Sequence, residues 1–124
     1  PVPAPPLHTV ELMEDEVQPL FDTAMRNIEL MLQHGMIHGD LSEYNILYWE
    51  GKITLIDFPQ VVEVETNPYA SAILKRDIER VCQYFNQFGV NAIPDEIHYN
   101  LWGEYGVVDD PDAIYELGMP DDDF

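Results

Sequence analysis

One short stretch of the sequence sets acidic and amide side chains at spacings suited to holding a metal-bound phosphate. His38-Gly39-Asp40-Leu41-Ser42-Glu43-Tyr44-Asn45 leads into an apolar run, a Glu50-Gly51 turn and then Ile56-Asp57-Phe58-Pro59. Asp40 and Asn45 stand five residues apart, a separation one tight loop can span, and Asp57 follows Asn45 by twelve, where the far strand of a hairpin would return it. Mg²⁺ takes hard oxygen ligands at about 2.0–2.1 Å in near-octahedral geometry and keeps several waters. A carboxylate, a carboxamide and nucleotide phosphates meet that demand. In phosphoryl transfer the protein mainly positions reactants and neutralises charge. Asp40 is then the catalytic residue that accepts a hydrogen bond or proton from the attacking group. Asn45 offers Mg²⁺ a neutral oxygen, and Asp57 supplies the anionic metal ligand. Without metal the two carboxylates would repel, whereas Mg²⁺ favours both ionised forms, so metal dependence is expected.

His38 opens the loop as a supporting residue, with an imidazole nitrogen bonded to backbone near Asp57. A zinc site is not indicated. His34 and His38 are four apart but lack the Glu of H-E-x-x-H, Gly35 between them marks a helix end, and His8 and His98 have no spaced partners.

Elements that could position this loop are legible on both sides. Val17, Leu20, Phe21, Ala24, Met25, Ile28, Met31 and Leu32 recur at helical spacing, predicting a helix over about 15–34 with Gly35 as its stop. Pro19 falls in the first turn, where a missing N–H is tolerated. Met36 begins a short strand, and Ile46–Trp49 faces Lys52–Ile56 across a two-residue turn, so 36–60 comprises catalytic loop, hairpin and metal motif. Asn67-Pro68 reads as an N-cap and first-turn proline for a second long helix over 68–88, with a stripe Ala70, Ile73, Leu74, Ile78, Val81, Cys82, Phe85, Phe88 and a stop at Gly89. Short helices are expected within 94–118, at Asp95–Tyr105 and Asp112–Leu117, and an acidic tail at 119–124.

The chain has 124 residues, 46% of them apolar, which suits one domain of α+β, mainly α, architecture. Five basic and 24 acidic residues leave a net charge of -19, a field that repels RNA and DNA, so direct nucleic-acid binding is not expected. No apolar run is long enough to span a membrane and the sequence shows no basic n-region with a cleavage site, which makes a cytoplasmic setting the expectation. Cys82, the single cysteine, lies inside the second helical stripe as core.

The loop and the motif after the hairpin resemble the C-terminal lobe of a protein kinase, and specifically the RIO family of atypical kinases. H-G-D-L-S-E-Y-N at 38–45 matches that family's catalytic loop, L-I-D-F-P-Q at 55–60 resembles its metal motif, and Arg76-Asp77 resembles the helix pair whose aspartate braces the loop. The resemblance covers roughly residues 4–90. It implies a serine/threonine kinase or ATPase with Asp40 as catalytic aspartate, Asn45 and Asp57 on Mg²⁺, Ser42 and Asp77 in support, and ATP as co-substrate. It also implies that Asp57 could itself take the phosphate, and that an ATP-switched assembly module in small ribosomal subunit maturation is an alternative. A small-molecule phosphotransferase of the aminoglycoside or choline type, which shares H-x-D-x-x-x-x-N, is a second alternative. The acceptor, protein or small molecule, stays open.

Three departures from ordinary protein kinases matter. Gly39 replaces the arginine of H-R-D, so reading of an activation-loop phosphate through that residue should be absent. Only 19 residues separate Asp57 from Asp77, with no A-P-E between them, leaving little room for a peptide platform. Ser42 stands where many Ser/Thr kinases carry a phosphate-contacting lysine. No G-x-G-x-x-G occurs, and neither Lys52 nor Lys75 sits in a V-A-I-K context, so the sequence reads as a lobe whose N-lobe partner lies elsewhere in the same protein, with 1–6 as the post-hinge segment. Alone, it should bind Mg-ATP poorly.

Overall fold

The computed structural model describes residues 4–106. Helix α1 runs Val17–Gln33 and helix α2 runs Ala70–Asn86, each one or two residues shorter per end than the spacing predicts. The reasons are local. Glu14–Glu16 form a 3-10 turn before α1, in which the Met13 N–H donates to Glu16 Oε2 at 2.8 Å. Asn67 caps a turn rather than the helix itself, because its Oδ1 accepts from the Tyr69 N–H at 2.8 Å and α2 begins one residue later. Gly35 and Gly89 both adopt positive φ, 75° and 104°, which stops each helix at little steric cost.

Between the helices lie two antiparallel two-stranded sheets. Strand β1, Met36–Ile37, pairs with β4, Val62–Glu63, and β2, Ile46–Trp49, pairs with β3, Lys52–Leu55, in the register Ile46↔Leu55 to Trp49↔Lys52. The expected hairpin is present, with Glu50 and Gly51 both at positive φ in its turn. The pairing of β1 with β4 was not predicted, since two-residue strands carry no periodicity. A third helix, α3, occupies Pro94–Tyr105 and starts on a first-turn proline. The helix expected at 112–117 and the tail at 119–124 lie outside the described residues. Among the described residues no helix is long and apolar enough to cross a membrane.

The core is the seam between α1 and α2. Leu20, Phe21, Ala24, Ile28 and Leu32 pack toward Leu74, Ile78, Val81, Cys82 and Phe85, all at most 6% exposed, and Phe21 meets Phe85 edge-on at 5.7 Å between centroids. Burial pushes the Cys82 thiol up to about 11. One member of the expected stripe departs from it. Phe88 lies beyond the end of α2 and is 44% exposed, while Tyr84 is buried instead and donates its hydroxyl to the Leu7 carbonyl at 3.3 Å.

The N-terminal segment is stitched to the hairpin edge. Pro5, which has no N–H to give, accepts from the Tyr48 N–H at 2.9 Å, and Pro6 bridges Leu47. The Tyr48 hydroxyl also donates to Glu16 Oε1 at 2.5 Å. That bond, helped by the Met13 amide, holds the Glu16 carboxyl below the usual carboxylate range.

Candidate functional site

The loop between β1 and β2 is held by three sets of bonds. The first runs to the hairpin. The Asp40 N–H donates to His38 Nδ1 at 3.2 Å, which leaves the ring proton on Nε2, and Nε2–H donates to the Ile56 carbonyl at 2.7 Å. His38 is 2% exposed, and both of its ring nitrogens are bonded to backbone. It joins the start of the loop to the residue before Asp57.

The second set is internal. Asn45 Nδ2 donates to the Asp40 carbonyl at 2.6 Å, and Asn45 Oδ1 accepts from the Ser42 N–H at 2.8 Å. Ser42 in turn caps the 3-10 turn Glu43–Asn45, its Oγ accepting from the Tyr44 N–H at 3.3 Å. The Ser42 hydroxyl proton is then left to donate elsewhere.

The third set comes from α2. Asp77, 1% exposed, accepts from the Gly39 N–H at 2.9 Å on one oxygen and from the Leu41 N–H at 3.0 Å on the other. Burial pushes its carboxyl up, and these two amide bonds oppose the rise without cancelling it. Arg76 donates to the Gly39 carbonyl. The peptide groups on both sides of Asp40 are thereby fixed to one helix.

Gly39 itself is required by shape. Its φ is 94°, and a Cβ there would collide with the Gln60 carbonyl oxygen and lie 3.0 Å from its carbon. The replacement of the kinase arginine by glycine thus has a backbone cause, the close approach of the segment after Asp57. Gln60 ends the 3-10 turn Phe58–Gln60, and the Phe58 ring packs tilted against His38 with centroids 5.1 Å apart.

A backbone hydrogen bond joins the segments that carry the two candidate metal ligands. The Ile56 N–H donates to the Asn45 carbonyl at 2.9 Å, which sets Asp57 one residue beyond the partner of Asn45. Asp57 has φ 64° and ψ 63°, a left-handed conformation for a non-glycine residue, of the kind that clusters where a site demands it. The residue is exposed, and none of the ion pairs among the described residues includes it. Asn45 is 6% exposed and its Oδ1 carries a second lone pair beyond the one that Ser42 occupies. Among the described residues no group of three or more His, Cys, Asp and Glu side chains is placed to hold a metal. A carboxamide and a carboxylate fit an ion that takes its remaining ligands from phosphates and water, as Mg²⁺ does.

Asp40 presents its carboxylate outward, with a side chain 57% exposed. Its Oδ1 accepts from Arg80 Nη1 at 2.9 Å. Arg80 was not anticipated from sequence, although its place three residues after Asp77 puts it on the same helical face. Beside this pair opens a cavity of about 400 Å³ bordered by Ser42, Glu43, Tyr44, Arg80, Gln83, Tyr84 and Gln87.

Known proteins resemble this chain in sequence and fold. A family model described as the RIO domain matches residues 1–98. The chain is 36% identical over 95 residues to RIO-type serine/threonine-protein kinase Rio1 of Thermoplasma acidophilum, covering 77% of this chain and 48% of that protein. It is 37% identical over 112 residues to serine/threonine-protein kinase RIO1 of Chaetomium thermophilum, covering 90% of this chain and 20% of that one. Among solved structures it resembles the Rio2 kinase-ADP/Mg²⁺-phosphoaspartate complex from Chaetomium thermophilum, with a TM-score of 0.68 and 26% identity over 99% of this chain and 40% of the other. The fold is a kinase-like α+β arrangement, and the chain spans less than half the length of these relatives.

Proposed function

The chain belongs to the RIO family, and on that premise we propose that it forms the C-terminal lobe of an Mg²⁺- and ATP-dependent serine/threonine kinase or ATPase. The observation that carries this reading is the joining of the loop to the metal motif, through the 2.9 Å Ile56-to-Asn45 bond and the 2.7 Å His38-to-Ile56 bond. Asn45 and Asp57 are the residues that would hold Mg²⁺. The ion's part is to draw charge from the nucleotide phosphates.

Asp40 is the catalytic residue. Its outward carboxylate accepts the proton of an acceptor hydroxyl as that oxygen bonds to the terminal phosphorus and the bond to ADP breaks. Ser42 offers its hydroxyl proton to a phosphate oxygen, and His38 and Asp77 keep the loop in register. The ATP partner needs a phosphate-covering loop and paired lysine that this sequence does not contain, so an N-lobe of the same protein completes the cleft. A cytoplasmic setting is the accompanying proposal.

A second reading shares the site. The solved relative is a phosphoaspartate complex, and here the exposed Asp57 is the candidate phospho-acceptor. A carboxylate oxygen of Asp57 would attack the terminal phosphorus, ADP would leave, and water would later release phosphate and restore the aspartate. Such a cycle suits an ATP-driven assembly switch. The small-molecule phosphotransferase alternative draws no support from the relatives named above.

Incubation of the full protein with radiolabelled ATP and Mg²⁺, followed by hydroxylamine treatment, tests both. Acid-stable label on a serine or threonine supports the kinase, and hydroxylamine-labile label lost in Asp57→Asn supports the switch. No Mg²⁺-dependent label and no ATP hydrolysis would overturn the phosphotransfer reading.

A further inference from the structure

Arg76, Asp77 and Arg80 lie within one turn of α2 and share the face turned to the loop. Arg76 and Asp77 grip the peptide groups of residues 39–41, whereas Arg80 is the member of this face that reaches the reactive side chain, Asp40. Among the described residues only one oxygen of this carboxylate has a hydrogen-bond partner. With Oδ1 on Arg80 Nη1 at 2.9 Å and the Asp40 side chain 57% exposed, Oδ2 is left for the acceptor.

A half-exposed aspartate ordinarily exchanges among staggered rotamers, and a single guanidinium bond from a rigid helix selects one of them. Arg80 also borders the cavity beside Ser42, in a chain with five basic and 24 acidic residues, so it brings a cation to the place where Ser42 brings none. An ion pair this exposed contributes little to stability. Misplacement of a reacting group by an ångström, in contrast, can cost about 100-fold in rate. Stability and rate should therefore separate when the pair is broken.

We propose that Arg80 is a positioning residue for phosphoryl transfer, holding Asp40 by one oxygen so that the other meets the acceptor. This rests on the phosphotransfer reading above. The test compares the full protein with Arg80→Met, Arg80→Lys, Asp40→Asn and the Asp40→Asn/Arg80→Met double variant in Mg-ATP turnover. Arg80→Met should lower kcat by roughly 10-fold or more with the ATP KM and the melting temperature little changed. Arg80→Lys should recover part of the loss, and the double variant should be no slower than Asp40→Asn alone.

A wild-type protein that turns over while Arg80→Met matches it would overturn the proposal and leave the phosphotransfer reading intact. A faster Arg80→Met would overturn it too, by making the ion pair a latch that must open. A wild-type protein with no turnover would overturn the phosphotransfer reading, and the role of Arg80 with it.

Discussion

The backbone of Gly39 lies so close under the carbonyl of Gln60 that no side chain fits between them. The contact ties the residue before the candidate base to the turn after the candidate metal ligand, across 21 positions of sequence. Left-handed backbone costs a non-glycine residue about 1–2 kcal/mol, and overpacking adds about 1–3 kcal/mol. Gly39→Ala should thus lose roughly 2–5 kcal/mol in urea unfolding. A loss within about 0.5 kcal/mol, the range of an ordinary surface change, would contradict the contact.

Asp77 couples the same loop to pH. Its folded carboxyl is raised above its ordinary value, first by burial, so the folded protein retains a proton that the unfolded chain has released. Stability linked to this group is fully present below the unfolded value and declines as pH rises through the folded one. Asp77→Asn should remove that decline. It should also destabilise the protein by about 1–3 kcal/mol, because an amide cannot accept from both Gly39 and Leu41 without turning a donor toward one of them. Unfolding curves over the acid range measure both effects, and coincident curves for wild type and variant would contradict both.

Asn45 carries two duties that one substitution will expose together. Asn45→Ala leaves the Asp40 carbonyl and the Ser42 N–H without partners at a position 6% exposed, at a cost of about 1–3 kcal/mol. Asp57→Asn, which keeps a side chain that tolerates the left-handed backbone, removes an exposed carboxylate that enters none of the ion pairs among the described residues and should leave the melting temperature nearly unchanged. If both variants melt alike, Asn45 is not the staple described.

Cys82 is core in chemistry as well as position. With its thiol held up to about 11, the native protein should resist a disulfide-exchange reagent at neutral pH and react once unfolded. The sign of its linkage follows. The unfolded thiol ionises first, so stability falls as pH climbs from the ordinary thiol range toward 11. Rapid native-state labelling would show the site is open.

Much of this architecture was legible because it rests on periodicity and turn chemistry. The 3.6-residue recurrence from Val17 to Leu32, the Glu50-Gly51 turn and the glycines at 35 and 89 each encode a local structure without outside help. What escaped depends on distant partners. Strand β4 exists because β1 offers it an edge, Tyr84 is buried because Leu7 supplies an acceptor, and Arg80 meets Asp40 only after Asp77 has fixed the loop against α2. Phe88 looked like core because its spacing fitted, but the helix ends before its turn comes round.

On the proposed function, Asn45 and Asp57 would hold a divalent ion beside Asp40. Mn²⁺ titrated into the isotope-labelled full protein with ADP, in place of Mg²⁺, reports its position by paramagnetic broadening. The amide signals of residues 40–45 and 56–58 should broaden first, and Asp57→Ala should abolish that selectivity. Broadening spread over the acidic surface, indifferent to Asp57→Ala, would contradict the site.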